Sequence, residues 1–445
     1  MVSAMAEPQA GQHKDRTAVE LFAGGGGLAM AVQNAGFRTL LFNEFAKRAC
    51  DTLEDNAMAG GVAEGETPWI PAGGQRPPLV RGDVQQLDMS YLAGQDVDVL
   101  AGGPPCQPFS LGGIAKGDED RRNMFPQMFR AIREMQPKAV ICENVRGLLR
   151  PSFAPYFQYI LRELELPFEE RSAESTWQEH DALLRGRIED PRQGPDKRYV
   201  VRHFPVNAAD YGVPQIRHRV IVVAFRADLN VDIKAFEDSV KKTEYSEVAL
   251  IRSMVDVDGE YWQRHSDVPS HVRDWVISRL PLNPPLDDGK KPWRTLRDAL
   301  VGVCADGKRL PEIPEAHLDR VDRKPKGYNN HIGWPDARIY DGHTPNELDK
   351  PAKTVKAGVH GVPGGESVML TDRLAGNDHE GGQRYKHRYM TVRETARVMT
   401  FPDKWIPAGP RGEQMRQLGN AVPVVLGEVF ARAVATALDK AENPG

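Results

Sequence analysis

Cysteine is scarce, with four in 445 residues, widely separated and in no paired motif. That scarcity argues against a disulfide framework or a zinc site and for a reducing, cytoplasmic compartment. No apolar run is long enough to span a bilayer, and residues 1–16 carry no signal-peptide pattern, so no membrane association and only a loose tail are expected there. Net positive charge is also missing. Lys and Arg number 58 against 62 Asp and Glu, a balance of −4 that gives no global reason to bind a polyanion. No internal repeat is present. With 40% hydrophobic and 27% charged residues the chain is globular, and its length suits two domains or one with a sizeable insertion.

What is there centres on residues 97–113, VDVLAGGPPCQPFSLGG. An apolar strand-like run stops at Gly102-Gly103-Pro104-Pro105 and presents Cys106. Proline fixes φ and removes a backbone donor, so the thiol stands on a rigid turn at a strand end, where ligands bind in open α/β sheets. Cys142, inside the apolar run AVICEN, reads instead as a core residue. Residues 17–23 predict a buried strand, followed by Gly24–Gly27 and a helix over 28–35. Such a run lets bare backbone approach a ligand, although on its own it reads equally well as a tight turn. A second strand ends in Glu44, which suits either a ribose diol or a helix N-terminus. Asp83 stands at a loop edge, and the strand of residues 138–143 ends in Glu143 on the rim expected for Cys106. Residues 111–122 have the composition of a mobile loop hinged at Gly112-Gly113.

Residues 169–198 are strongly charged and read as an insertion or partly ordered loop. In YGVPQIRHR the residues Gln215, Arg217 and Arg219 alternate, which puts them on one face of an extended segment, an arrangement that an exposed edge strand also explains. From about residue 227 the strand–helix alternation lapses. Residues 384–397, RYKHRYMTVRETAR, concentrate basic side chains that by themselves read as a solvated face. The chain closes with a predicted apolar-faced helix after QLGNAVP.

The segments FAGGGG, GPPCQPFS, ENV, PQIRHR, RETARVMTFPD and QLGNAVP, in this order, resemble the cytosine-C5 DNA methyltransferases, most closely the bacterial enzymes of restriction–modification systems. The resemblance implies an α/β fold: a Rossmann-like S-adenosylmethionine-dependent methyltransferase sheet with an inserted, smaller, irregular β-rich target-recognition domain. It divides the chain into a tail at 1–16, a catalytic domain at 17–226, the recognition domain at 227–411 and a return to the catalytic domain at 412–445. Phe22, Ala23, Gly24, Gly26, Gly27 and Leu28 would line the S-adenosyl-L-methionine pocket with Val84, Pro104, Asn420 and Val422. Glu44 would hold the ribose and Asp83 the adenine amino group, S-adenosyl-L-homocysteine would be the product, and no metal is implied. Four consecutive glycines stand where many members mix in serine, so which of them meets the cofactor stays open.

By the same resemblance Cys106 is the nucleophile, Glu143 and the carbonyl of Pro105 grip the Watson–Crick edge of the cytosine, and Arg219 takes its O2. Arg217, Gln107 and Ser110 would support the loop and the DNA backbone, with Gly112, Arg121, Arg122 and Gln215 also against the DNA. The residues suit that chemistry. Thiolate attack at C6 makes C5 nucleophilic, a donor at N3 meets the developing charge, and an arginine at O2 stabilises it. The cytosine must be flipped out of the duplex to be reached. Double-stranded DNA is therefore the expected partner, lying against residues 384–397 and the Arg217/Arg219 segment, with the protein a monomer in the bacterial cytoplasm. A cognate restriction endonuclease would act on the same site without stable contact. The size of the insertion argues against a tRNA methyltransferase of the same superfamily. The joint presence of Cys106, Glu143 and Arg219 argues against an inactive DNA-binding relative.

Overall fold

The computed structural model describes residues 15–105, 123–190, 192–300, 330–334, 344–357, 367–377 and 383–443. Its centre is an eight-stranded sheet built from β1 (Thr17–Leu21), β2 (Arg38–Glu44), β3 (Gly60–Gly61), β4 (Pro78–Arg81), β5 (Val99–Gly102), β6 (Ala139–Val145), β7 (Tyr199–Asn207) and β8 (His218–Arg226). The order is β3-β4-β2-β1-β5-β6-β8-β7. Strands β1 to β6 pair in parallel, whereas β8 runs antiparallel to both β6 and β7. β1 is buried along its whole length, and β5 likewise, as continuous apolar runs covered on both faces must be.

Alternate residues feed two different cores. Val19, Leu21, Leu100, Val140 and Cys142 face helices α3 (Phe125–Met135) and α4 (Ala154–Glu165). Ala18, Val99, Ala101 and Ile141 face α1 (Gly27–Asn34) and the long C-terminal helix. Helix α2 (Lys47–Asp55) covers the flank of β2. The direction of chain growth reverses between β1 and β5, and the carboxyl ends of the parallel strands there form the rim where open α/β sheets bind ligands.

The charged stretch after α4 is not loop throughout. It holds α5 (Trp177–Glu189), started by a complete capping box in which the Thr176 hydroxyl accepts from Glu179 N and the Glu179 carboxylate accepts from Thr176 N. Beyond β8, the regular elements in the described part of residues 227–411 are helices more often than strands. It contains α6 (Ile233–Lys241), β9 (Tyr245–Ser246), α7 (Glu247–Met254), α8 (Glu260–Arg264), α9 (Ser270–Ile277), β10 (Lys291–Pro292) and α10 (Leu296–Leu300). A single hairpin follows, β11 (Val368–Asn377) with β12 (Gln383–Tyr389), and then α11 (Val392–Val398).

A small core of Leu250, Met254, Tyr261, Trp262, Val272 and Trp293, with Tyr385 of the hairpin, belongs to this region. Helix α6 instead packs Phe236 edge-on to Phe225 of β8, and α11 shares a core with Phe42 and Leu53. The cores beside the sheet thus take in residues of α6 and α11. The chain returns through α12 (Arg411–Asn420) and α13 (Val424–Glu442). The stretch Arg411–Glu442 is long and apolar enough to cross a membrane by length and composition alone, but Leu426, Phe430 and Val434 of α13 are buried against α1 and the sheet. At the other end of the chain Arg16, expected in the loose tail, is buried.

Candidate active site

The tips of β1 and β2 make one half of the rim. After Leu21 the backbone enters the left-handed region at Phe22 (φ 58°), an uncommon conformation for a side-chain-bearing residue, and again at Gly24 and Gly26 (φ 54° and 87°). The turn lifts the chain off the sheet and starts α1 at Gly27. Glu44, at the tip of β2, accepts from Gly24 N and from Ala46 N, both at 2.7 Å. Burial raises its pKa, opposed by these backbone donors.

The remaining glycines are explained by the C-terminal return. A Cβ on Gly27 would stand 2.2 Å from the Val422 carbonyl, one on Gly26 would stand 2.8 Å from the Trp405 ring, and one on Gly25 3.3 Å from Gln417. Gly24 therefore gives its N–H to the rim acid, while Gly25 and Gly27 let α12 and residues 421–422 close on the turn and Gly26 makes room for the Trp405 ring. Leu28, Ala23 and Val422 are buried within this wall, and Asn420 stands exposed at the end of α12. Asp83 caps the short turn after β4 by accepting from Gln85 N at 2.9 Å, with Val84 buried beneath it.

Two residues of functional interest escaped the sequence reading. Glu20, on β1, is fully buried and accepts a hydrogen bond from Ala29 N. It supplies the carboxylate that the side-chain-free N-cap Gly26 cannot. Burial, with Glu44 nearby, raises its pKa well above the ordinary value. Phe45 was also missed. Its ring is 76% exposed directly after Glu44, an unusual position for a large apolar side chain. A bulky residue after a strand-end acid is the only sequence signal for it.

The other half of the rim is made by β5, β6 and β8. Gly102 ends β5, where a Cβ would meet the Leu21 carbonyl at 2.9 Å. The following turn is held by Asn144, whose side-chain amide donates to the buried Pro104 carbonyl at 3.0 Å. The Pro105 carbonyl accepts from Met124 N at 3.3 Å. Register sets Val145 opposite Arg219 and Glu143 opposite Ile221, so Glu143 and Arg219 are diagonal neighbours on one face. Their side chains form an ion pair of 2.7 Å, and the second Glu143 oxygen lies 3.7 Å from where a Gly103 Cβ would be. Among the described residues Glu143 Oε1 accepts no aligned hydrogen bond. Cys106, Gln107, Ser110, Gly112, Arg121 and Arg122 lie outside the described residues.

Two of the residues expected against DNA are buried. Gln215, Arg217 and Arg219 do share a face, but the first two are wholly buried. Arg217 donates to the carbonyls of Val355 (2.9 Å), Gly419 (2.8 Å) and Ala421 (2.9 Å). Gln215 Oε1 accepts from Val355 N at 3.2 Å, in register with a backbone bridge to Ala352. Arg217 thus fastens the backbone on both sides of Asn420. Burial and the neighbouring Arg219 lower its pKa, Glu143 opposes this, and the carbonyl acceptors solvate the guanidinium.

The basic stretch is likewise turned inward. Arg388 pairs bidentately with Glu394 (2.8 and 2.9 Å), Arg397 with Asp403, and Arg393 donates to the Trp405 carbonyl at 2.7 Å. Lys386 and His387 are the exposed basic side chains here among the described residues.

The comparisons with known proteins place the chain in a family. The family model of the C-5 cytosine-specific DNA methylases fits residues 17–166 and 196–436. A type II methyltransferase of Escherichia coli, M.Eco47II, is 30% identical over 434 residues, covering 95% of this chain and 80% of its own length. The DNA (cytosine-5-)-methyltransferase M.ApeKI of Aeropyrum pernix is 24% identical, covering 95% of this chain and 98% of its own. Among solved structures, a DNMT2 variant of Spodoptera frugiperda aligns with a TM-score of 0.50 at 15% identity, over 94% of this chain and 99% of that one. That likeness bears on the fold, a Rossmann-like methyltransferase sheet.

Proposed function

The chain belongs to the C-5 cytosine-specific DNA methylases and is a DNA (cytosine-5-)-methyltransferase, and from that premise we propose that it works through a covalent Cys106 adduct on a cytosine flipped out of duplex DNA, with S-adenosyl-L-methionine as donor. The observation that carries this reading is the Glu143–Arg219 pair on the strand tips next to the glycine rim, beside the turn that leads into Cys106.

The rim residues fit the donor. Glu44 offers a buried carboxylate for a pair of hydroxyls, the glycine turn offers backbone at the start of α1, and Phe45 offers a bare ring for an adenine face. Asn420 and Val422 close the far side. When bound there, S-adenosyl-L-methionine supplies an electrophilic methyl group.

The chain's own groups do the rest. The Cys106 thiolate forms a bond to C6, and the displaced π electrons travel toward N3 and C5. Glu143 meets the charge at N3 by a hydrogen bond or proton, and Arg219 meets it at O2. Once C5 carries the methyl group, loss of the C5 proton expels the Cys106 sulfur and restores the ring. Arg217 keeps Asn420 in place and touches neither reactant.

Lys386 and His387, both exposed on the hairpin, are the basic groups we place against the phosphate backbone, in the inserted recognition region. Each phosphate contact steepens the salt dependence by about −0.9. M.Eco47II is named a type II methyltransferase, which supports a cognate restriction endonuclease for this chain.

A 5-fluorocytosine duplex tests the reading, because an enzyme of this kind is trapped on it. Expected is a denaturant-resistant protein–DNA adduct with the parent and none with Cys106→Ser. Adduct formation by Cys106→Ser, or methylation of tRNA in preference to duplex DNA, overturns it.

A further inference from the structure

The family model leaves out residues 167–195, the stretch that holds α5. This helix is fastened to α4 by three independent contacts. Trp177 packs edge-on to Tyr156, with ring centroids 5.2 Å apart and planes at 84°, and lies 5.6 Å from Tyr159. Buried His180 bridges the Tyr159 hydroxyl at 3.1 Å and the Glu169 carbonyl at 2.7 Å. A carbonyl only accepts, so Nε2 donates to Glu169. Asp181, also buried, is shared by Arg162 and Arg185 at 2.5 and 2.6 Å. The insertion is a packed part of the domain.

The same Tyr156 reaches the active-site rim. Its hydroxyl accepts from the Asn123 side-chain amide, and the Asn123 side-chain oxygen accepts from Phe125 N at the start of α3. One residue on, Met124 N donates to the Pro105 carbonyl. Pro105 and Asn123 are the described residues on either side of 106–122, the stretch with Cys106. Among the described residues, its two flanks are therefore joined to each other by a backbone bond and to α4 by a side-chain bond. The phenol that makes the second bond has Trp177 packed against its ring.

We infer that α5 is a buttress for the Cys106 segment: Trp177 holds the Tyr156 ring, Tyr156 holds Asn123, and this fixes the base from which Cys106 reaches the target cytosine. Trp177 and Tyr156 are positioning residues, and the inference rests on the Cys106 reading above. Misplacing a reacting group by 1 Å costs on the order of 10²-fold in rate, so a loosened base should be visible in the chemistry and leave the glycine rim untouched.

The experiment compares Tyr156→Phe, Trp177→Ala and Trp177→Phe with the parent and Cys106→Ser. Three quantities are read: the rate of adduct formation on a 5-fluorocytosine duplex, S-adenosylmethionine affinity by equilibrium dialysis, and deuterium exchange at the Met124 and Phe125 amides. Expected is an adduct rate about tenfold slower in Trp177→Ala and severalfold slower in Tyr156→Phe, with cofactor affinity within twofold. Exchange at Met124 and Phe125 should be faster in both, and Trp177→Phe should restore most of the rate. Parent-like adduct rates and parent-like exchange overturn the inference, and so does an equal loss of rate and cofactor affinity. If the parent forms no adduct or Cys106→Ser still does, the Cys106 reading fails. The exchange measurement then decides the buttress alone.

Discussion

Two charged clusters sit at opposite ends of the same strands, and they are built to opposite specifications. At the amino ends Arg16 meets Asp98, Asp439 and Glu442, while Lys138 meets Asp96, Asp98 and Glu442. Asp98 also accepts from Thr17 N at 2.8 Å. Burial pulls the Lys138 pKa down, yet its three carboxylate partners more than restore it, so the net shift is upward. Arg16, Asp98, Lys138 and Glu442 each have two or more partners there, and the cluster ties the start of β1 to the end of α13. At the carboxyl ends Glu143 and Arg219 form one ion pair, and a Glu143 oxygen is left without an aligned donor among the described residues. A saturated network holds a fold together, whereas a sparsely partnered pair at a ligand rim is free to take up a substrate.

That contrast predicts a separation of activity from stability. Glu143→Gln should lower kcat by about 10²- to 10⁴-fold, the range for a lost proton-transfer or hydrogen-bonding partner, with a melting temperature near the parent's. If the melting point falls instead and the folded fraction keeps its activity, the two clusters are alike. Asp98→Ala at the other end should do the reverse. Removing one member of a buried charge network costs about 3–5 kcal/mol of stability, readable by urea unfolding, and the folded fraction should methylate at the parent's rate. A smaller effect sharpens the rim side. Phe45→Ala should weaken S-adenosylmethionine binding about tenfold, equivalent to about 1.4 kcal/mol, without moving the melting point, because the ring is exposed. Unchanged affinity would remove Phe45 from the pocket.

Acid titration makes the smallest and most graded comparison. Burial pushes the Glu394 carboxyl up, but the Arg388 charge and hydrogen bonds, helped by His331 and by Thr391 N, bring it down to about 2. Its folded pKa lies below the unfolded value, so its contribution is present above about pH 4.5 and lost as the pH falls toward 2. Glu20 and Glu44 at the rim are raised by burial, so they weaken the fold as the pH climbs past the ordinary carboxylate range and cease to do so in acid. Glu394→Gln should therefore flatten the acid limb of a melting-temperature profile between pH 4.5 and 2, and Glu20→Gln should leave that limb in place and raise stability near neutrality. The opposite assignment of the two limbs would reverse the comparison.

Much of the sheet was legible in the chain. Parallel strands buried on both faces read as unbroken apolar runs, and the glycines and prolines that end them mark the rim, so β1, β2, β5 and β6 could be placed to within a residue or two, with Glu44 and Glu143 at their tips. Helix α5 was not legible, because its few inward residues are scattered among charges that find partners only on α4. The inward turn of Arg388, Arg393 and Arg397 was hidden for a related reason. Composition counts charges but does not say whether a carboxylate or a carbonyl waits opposite each one.

The period-two spacing of Gln215, Arg217 and Arg219 likewise determined that they share a face and left open which face it is. By itself the sequence determined local matters: strand and turn, the family of the chain, and the acids that reach a common rim. Only the tertiary structure decided that Arg217 serves the backbone around Asn420 while Arg219 serves Glu143, and that an inserted helix stands behind Asn123. The reason is physical. Propensity and periodicity act over a few neighbouring residues, whereas burying a charge is tolerable only where distant segments, brought together by folding, supply its partners.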